Sequence, residues 1–204
     1  MSPLMAEAQI GGTSLAVSTT LIVILTIANS NNVHIRGINF LNSPNVQIDL
    51  ESSTWIYVSN VTILAPKSSP NTDGIHMQHS KNVSIENSRI GTGDDCVSMG
   101  DGSAYVSINN IACGPGHGIS IGSLGKGGSI AKVEYIHVKD VQFIGTTNGA
   151  RIKTWEGGKG SVSNIVFERI LIHDSDNPII IDQHYCNRHD PQSCNPTKVV
   201  LILS

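Results

Sequence analysis

The sequence has few aromatic residues, few charged residues and no run of lysine and arginine. Aromatic residues make up 4% and charged residues 14% of the 204-residue chain, while hydrophobic residues make up 39%. This balance is typical of a β-rich globular domain and argues against a disordered chain or a coiled coil. With a formal net charge of −3 and no basic cluster, the chain offers no footprint for nucleic acid. The net charge does not exclude an acidic substrate, because a cleft can be locally basic on a mildly acidic protein.

The sequence also lacks a hydrophobic run that could span a membrane. The apolar stretch at 21–28 has eight residues, whereas a spanning helix needs about 20. Residues 1–14 carry only Glu7 as a charge, so the basic region of a signal peptide is missing. We therefore expect a buried strand at 21–27, no membrane span, and any export signal to lie outside this chain.

No cysteine pair is spaced as CxxC, and no HxE pattern is present, which argues against zinc ribbons, thioredoxin-like motifs and metalloenzymes. The four cysteines are Cys96, Cys113, Cys186 and Cys194. They predict two disulfides in an exported protein, with three connectivities open. Two N-glycosylation sequons, Asn60-Val61-Thr62 and Asn82-Val83-Ser84, are compatible with secretion.

Helical periodicity is nearly absent, which argues against a sheet of βαβ units. Short alternating strands recur instead, separated by Asn, Gly, Ser and Asp. One inward residue from each strand gives the series Ile48, Ile75, Val97, Ile119, Ala150 and Ile179. The steps along this series are 27, 22, 22, 31 and 29 residues. A second strand series precedes the first in each coil, at 32–40, 60–64, 82–90, 106–113, 136–144 and 164–172.

This repeat predicts an all-β solenoid, a parallel β-helix whose coils stack about 4.8 Å apart. A β-sandwich would show hairpin turns about every 8–12 residues, and the LxxLxLxxN pattern of leucine-rich repeats is absent. We expect the β-helix domain to occupy residues 26–204. Residues 1–25 do not match the repeat.

Residues with catalytic side chains stand where successive coils of the first series begin. They are Asp73, the pair Asp94 and Asp95, His117, and the cations Arg151 and Lys153. Asp94 follows Asp73 by 21 residues, His117 follows Asp95 by 22, and Arg151 follows His117 by 34. Each step is close to one coil, so these side chains should become neighbours on one face.

Each feature taken alone has a simpler explanation. An aspartate before glycine is ordinarily a turn residue, and adjacent aspartates can form a solvated turn or a weak calcium site. A histidine between glycines can be a loop residue, and cations on alternate strand positions can form a solvated face. Four such features at one-coil spacing favour a common site over four separate explanations.

Carboxylates held close together cannot all stay ionised, so at least one should have a raised pKa and act as an acid. An acid, a base and a positioned water are what hydrolysis of a glycosidic bond requires. Cations beside them would bind an anionic sugar such as a uronic acid.

Four motifs in this order resemble the polygalacturonases, glycoside hydrolase family 28, and especially their plant branch. They are NTDGIH at 71–76, GTGDDCVSMGDG at 91–102, CGPGHGISIGSLG at 113–125 and RIKTW at 151–155. The resemblance covers about residues 30–194. It implies a right-handed parallel β-helix and inverting hydrolysis of α-1,4-galacturonosyl links in pectin, by a secreted cell-wall enzyme that acts as a monomer without cofactor or metal.

The resemblance also implies a role for each catalytic residue. Asp94 would be the general acid, Asp73 and Asp95 would position and deprotonate the attacking water, and His117 would tune the protonation of the acid. Because an inverting acid and base stand about 6.5–9.5 Å apart and one coil step is about 4.8 Å, Asp94 must turn differently from the other two aspartates.

The remaining implied roles concern the substrate and the cysteines. Arg151 and Lys153 would hold the galacturonate carboxylate, and Tyr185 would contact the sugar. The disulfides would be Cys96–Cys113 and Cys186–Cys194. Family members carry further coils at both ends, so we expect this chain to be truncated at both.

Three alternatives stay open at this point. The chain could be an inactive β-helix fragment that binds pectin or acts as a wall-associated, allergen-like protein. It could act on rhamnogalacturonan or xylogalacturonan. A pectate lyase would share the architecture but would need a calcium-binding acidic cluster and a basic abstractor.

Overall fold

The computed structural model describes residues 7–10, 25–186 and 200–203, which form two long sheets and one short 3-10 helix at Lys126–Gly128. Sheet A consists of β1 (Glu7–Ile10), β3 (Asn31–Arg36), β4 (Asn39–Leu41), β6 (Thr54–Ser59), β7 (Thr62–Leu64), β9 (Lys81–Gly91), β11 (Ala104–Cys113), β13 (Ile130–Ile144), β15 (Lys159–His173) and β17 (Val200–Leu203). Sheet B consists of β2 (Leu25–Ala28), β5 (Ile48–Glu51), β8 (Ile75–Gln78), β10 (Val97–Met99), β12 (Ile119–Leu124), β14 (Asn148–Trp155) and β16 (Asn177–Tyr185).

The chain alternates between the two sheets, and each coil adds parallel strands to both. Only β1 pairs in the antiparallel sense among the described strands, with β3. The predicted inward series is paired in full, from Ile48 opposite Ile75 to Ala150 opposite Ile179. The prediction of an all-β, right-handed parallel β-helix is therefore confirmed.

The second predicted series is incomplete, because it omits β6. This strand lies between β3 and β9 in sheet A, and its Ile56 and Val58 are fully buried. Their alternation with exposed Trp55 and Tyr57 is the period-2 pattern of a half-buried strand.

Stacked aliphatic side chains fill the space between the sheets. Val58, Ile85, Ile108 and Val138 lie in one register across sheet A and are fully buried. Isoleucine and valine recur at equivalent positions because each coil offers a space of similar size and shape, which β-branched side chains fill well. Where the chain turns from one sheet to the other, buried serines accept backbone N–H groups, as Ser80 Oγ does from Ser53 N at 3.1 Å.

The fold leaves the outward face of sheet B free to carry the polar residues. The strand β2 begins at Leu25, and residues 11–24, which include most of the strand expected at 21–27, lie outside the described part. No helix in the described ranges is long and apolar enough to cross a membrane.

Candidate active site

The predicted polar residues meet where loops enter sheet B. Asp73 lies just before β8, Asp94 and Asp95 lie before β10, and His117 lies before β12. Backbone hydrogen bonds fix this stacking, because Gly74 N donates to Asp95 O and His117 N donates to Asp94 O, both at 2.8 Å. A cavity of about 320 Å³ opens there. It is lined by Asn71, Asp73, His76, Asp94, Ser98, His117, Gly122, Ser123, Arg151, Lys153 and Tyr185.

Asp95 lies beneath the cavity and is held by two cations. Its Oδ1 accepts hydrogen bonds from Arg151 Nη2 at 2.6 Å and from Ser120 Oγ at 2.8 Å, and its Oδ2 accepts one from Lys153 Nζ at 2.9 Å. The Asp95 side chain is 0% exposed, and those of Arg151 and Lys153 are 14% and 10% exposed. A carboxylate in this position is stable only with such partners, because an unpaired buried charge is costly. The two cations are thus anchored to Asp95 rather than free.

Asp94 and His117 form the second ion pair of the site. Asp94 Oδ1 accepts a hydrogen bond from His117 Nδ1 at 3.0 Å and another from its neighbour's amide, Asp95 N, at 2.8 Å. Partial burial raises the pKa of Asp94, but the hydrogen bond and charge of His117 outweigh it, so the pKa lies below the ordinary value. The same hydrogen bond raises the pKa of His117. The proton shared by this pair therefore rests on the imidazole in the free protein.

A glycine holds His117 in place. Gly118 has a φ of +88°, a left-handed conformation that glycine adopts without strain. A Cβ at this position would overlap the carbonyl oxygens of Asn148 and Gly149 on the next coil. The coils can pack this closely at the site only with glycine there.

Of the two carboxyl groups that line the cavity, Asp73 is the one whose pKa is raised. Burial, followed by repulsion from Asp95 and Asp94, raises the pKa of Asp73 to about 7. Its Oδ2 accepts a 2.5 Å hydrogen bond from Ser98 Oγ, which favours the ionised form but does not outweigh the other effects. The expectation of one raised carboxyl pKa is thus met by Asp73, whereas the pKa of the expected acid, Asp94, is lowered.

The sequence reasoning missed a residue that supports Asp73. His76 Nδ1 lies 2.7 Å from Ser98 Oγ. Because Ser98 donates its proton to Asp73, it accepts from His76, which fixes the Nδ1-protonated tautomer. Burial lowers the pKa of His76, against the attraction of the nearby Asp49 carboxylate.

The register of the strands in sheet B would have revealed these residues. Asp49, His76, Ser98, Ser120 and Arg151 occupy one position on neighbouring strands of sheet B. They follow directly after the inward series starting with Ile48, so strand alternation turns all of them outward. A column of polar residues at this position marks the floor of a groove.

Tyr185 lies at the end of β16 and reaches the cavity from the last described coil of sheet B. Lys153 Nζ lies 5.5 Å from the centre of its ring, and Trp155 packs edge-on against it at 5.1 Å. The structure therefore brings together every residue that the sequence predicted for the site.

The chain matches the model of the glycosyl hydrolases family 28 over residues 14–202. It belongs to this family. The match confirms the resemblance drawn from the four motifs.

This family 28 chain is 45% identical to a polygalacturonase of Malus domestica over 174 residues, which are 85% of this chain and 38% of that protein. Its fold is similar to that of an endo-xylogalacturonan hydrolase from Aspergillus tubingensis, with a TM-score of 0.76, 30% identity, and coverage of 89% of this chain and 52% of that one. It is also similar to that of a polygalacturonase from Erwinia carotovora, with a TM-score of 0.71, 33% identity, and coverage of 80% of this chain and 44% of that one. The chain spans well under half the length of the curated relatives it matches.

Only one group of side chains in the described ranges has donor atoms placed to hold a metal ion. These are Asp94, Asp95 and His117, whose donor atoms lie within 4.8 Å of one another. Both oxygens of Asp95 are already bound to cations, and the charges of Arg151 and Lys153 would repel a metal ion there. The arrangement in the family 28 chain suits an acid–base site better than a metal site.

The structure describes one of the two predicted disulfides of the family 28 chain in full. Cys96, which directly follows Asp95, is joined to Cys113, four residues before His117. This bond ties the two loops of the site together. Cys186 is also disulfide-bonded, while Cys194 lies outside the described residues, so the second pairing stays a prediction.

Proposed function

We propose that this chain hydrolyses α-1,4-galacturonosyl linkages of polygalacturonate with inversion. The observation that carries the proposal is the cavity where the carboxyl groups of Asp73 and Asp94 stand beside the cations of Arg151 and Lys153. Two carboxyl groups with different pKa values supply an acid and a base, and cations favour a uronic acid over a neutral sugar. Family 28 membership and the polygalacturonase relatives support the same substrate.

Asp94 is the proposed general acid, supplied with its proton by His117. In the free chain the proton lies on His117, 3.0 Å from Asp94. As the bond between the anomeric carbon and the glycosidic oxygen breaks, Asp94 takes up the proton of His117 and passes it to the leaving oxygen, which keeps the electron pair of that bond. The pair thus acts as one acid, which reconciles the lowered pKa of Asp94 with its role.

Asp73 is the proposed base, and the negative charge of Asp95 helps to raise its pKa. A base is most effective when its pKa lies near the working pH, and Asp73 has a pKa of about 7. The attacking water gives its proton to Asp73 while its oxygen bonds to the anomeric carbon. Asp95, with both oxygens bound to cations, orients the water from below and holds the cations in place.

Arg151 and Lys153 are the proposed partners of the substrate carboxylate. Arg151 uses Nε for Ser120 and one Nη2 proton for Asp95, and Lys153 uses one of its three protons for Asp95. Both residues line the cavity and keep unused donors. Tyr185, beside Lys153, is the proposed apolar contact for the sugar ring.

The proposal includes the setting of the enzyme. We infer a secreted, monomeric cell-wall protein that needs no cofactor, in keeping with the disulfide between Cys96 and Cys113 and with the plant relatives.

The test is release of reducing ends from polygalacturonate by the purified chain, with the anomeric configuration followed by proton NMR. Release of the β-anomer from α-links supports the proposal. Xylogalacturonan and a neutral polysaccharide serve as comparison substrates. A chain that is folded by circular dichroism, binds polygalacturonate and releases nothing would instead be an inactive pectin-binding β-helix.

A further inference from the structure

A column of residues with left-handed backbone conformation runs along sheet A. It consists of Asn32, Trp55, Asn82, Tyr105, Tyr135 and Asn164, all with φ between 55° and 57°. The pairing of adjacent residues places them on consecutive coils, since Thr54 and Ala104 both pair with Lys81. Asn82 therefore lies between Trp55 on one side and Tyr105 on the other.

The two tyrosine rings of this column face along the helix axis. Tyr105 and Tyr135 are stacked with their centroids 4.8 Å apart and an interplanar angle of 4°. This separation equals the spacing of neighbouring strands, about 4.7–4.9 Å, so the rings lie perpendicular to the axis. One face of Tyr105 is covered by Tyr135, and the other face is turned towards the coil of Asn82.

Trp55 and Tyr105 occupy equivalent positions on the two coils that flank Asn82, and the space between them, with the asparagine at its base, is here called the aromatic slot. Its walls are two coil steps apart, about 9.5 Å. A ring placed midway would stand about 4.5–5 Å from each wall, a normal stacking distance. Trp55 and Tyr105 are 50% and 53% exposed, so the slot is open to solvent.

Asn82 is also the acceptor of the sequon Asn82-Val83-Ser84. Its side-chain amide is half-buried and makes no hydrogen bond within the described part of the chain. A saturated sugar ring presents C–H groups on its faces, which suit the electron-rich faces of aromatic rings.

We propose that Asn82 carries an N-linked glycan whose first sugar ring packs between Trp55 and Tyr105. In the transfer, the Asn82 amide nitrogen bonds to the anomeric carbon of a polyprenyl-pyrophosphate-linked oligosaccharide and loses one proton. The pyrophosphate leaves with the electron pair of the broken bond. The inference rests on the secretion proposed above and is independent of the catalytic activity.

The second sequon provides an internal control. Asn60, in Asn60-Val61-Thr62, also has a left-handed conformation, with φ of 52°. Its neighbours on the adjacent coils are Gly37 and Asn87, which follow the paired residues of sheet A. A glycan on Asn60 therefore has no aromatic walls to pack against.

The experiment is secretion of the whole chain from a eukaryotic host behind a supplied leader, followed by peptide mass mapping and thermal unfolding. Ser84→Ala removes the Asn82 sequon and keeps the asparagine, and Thr62→Ala does the same for Asn60. Each is measured in the native background and with Trp55→Gly or Tyr105→Gly, because glycine tolerates the left-handed conformation. Trp55→Asn is a second variant, since asparagine occupies the same conformation at Asn32.

We expect Asn82 to be glycosylated and Ser84→Ala to lower Tm by about 2–4 °C. This difference should disappear in the Trp55 and Tyr105 variants, whereas the effect of Thr62→Ala should be the same in every background. A secreted chain without a glycan on Asn82 overturns the modification, even where Asn60 is glycosylated. A Tm difference that persists without the aromatic walls overturns the packing.

Discussion

The two sheets of the molecule carry the same kind of ion pair in different surroundings. On sheet B, Asp95 is bound by Arg151 at 2.6 Å and by Lys153 at 2.9 Å, and its side chain is 0% exposed. On sheet A, Asp140 is bound by Arg169 at 2.7 and 2.8 Å, and its side chain is 41% exposed. The distances are alike, so the difference lies in access of water. Water and salt screen the charges of an exposed pair. The charges of a buried pair are screened less and act more strongly on the groups around them.

A second comparison concerns histidine and aspartate. His117 lies 3.0 Å from Asp94, with side chains 39% and 21% exposed, and His173 lies 3.2 Å from Asp174, with side chains 68% and 75% exposed. The first pair faces a cavity shared with Asp73, whereas the second is open to solvent. In the proposed mechanism, the first pair passes its proton to a bound substrate.

The largest expected effect is on turnover, from Asp94→Asn. The variant cannot donate a proton, so turnover should fall by about a hundred- to ten-thousandfold, while binding of polygalacturonate is kept. Asp174→Asn, the matched change in the exposed pair, should leave turnover unchanged. Both quantities come from reducing-end assays and equilibrium binding. Near-native turnover of Asp94→Asn would remove Asp94 from the acid role.

The next largest effect is on stability, from Asp95→Asn. Removing this anion leaves the side chains of Arg151 and Lys153 buried without their partner, which should lower the free energy of unfolding by about 3–5 kcal/mol. Asp140→Asn should change it little, because water already solvates Arg169. Urea unfolding of the three proteins measures the difference. Equal effects of the two changes would mean that burial of Asp95 does not matter.

A smaller effect is expected on the pH profile, from His117→Gln. The pKa of His117 is raised, so its proton is held below that pKa and lost as the pH rises through it. The native chain should therefore lose activity on the alkaline side, and the variant should lose this limb, with turnover lower by about a hundredfold. His173→Gln should change neither. An unaltered alkaline limb in His117→Gln would show that another group supplies the proton.

The smallest effect is a shift of the acidic limb, from Ser98→Ala. The hydrogen bond from Ser98 lowers the pKa of Asp73, so its loss should raise that pKa further. Asp73 must be ionised to act as a base, and the acidic limb should move to higher pH. Ser107→Ala on sheet A is the control. If the acidic limb does not move, ionisation of Asp73 does not determine that side of the pH profile.

Much of the fold could be predicted because the solenoid makes sequence spacing into spatial distance. The steps from Ile48 to Ile179 gave the register, and the steps from Asp73 to Arg151 gave the membership of the site. Strand β6 shows the limit, since a series chosen around one repeated motif passes over a strand with the same alternation. His76 and Ser98 were missed because their importance depends on a hydrogen-bond chain that ends at Asp73.

The sequence by itself determined the coil repeat, the family and the residues that meet in the cavity, because period-2 alternation and one-coil spacing are local properties of the chain. Only the tertiary structure decided how the charges are shared. It placed Asp95 under two cations, left the proton of the Asp94 pair on His117, and raised the pKa of Asp73. Burial and side-chain direction determine these outcomes, and neither exists until neighbouring coils are stacked.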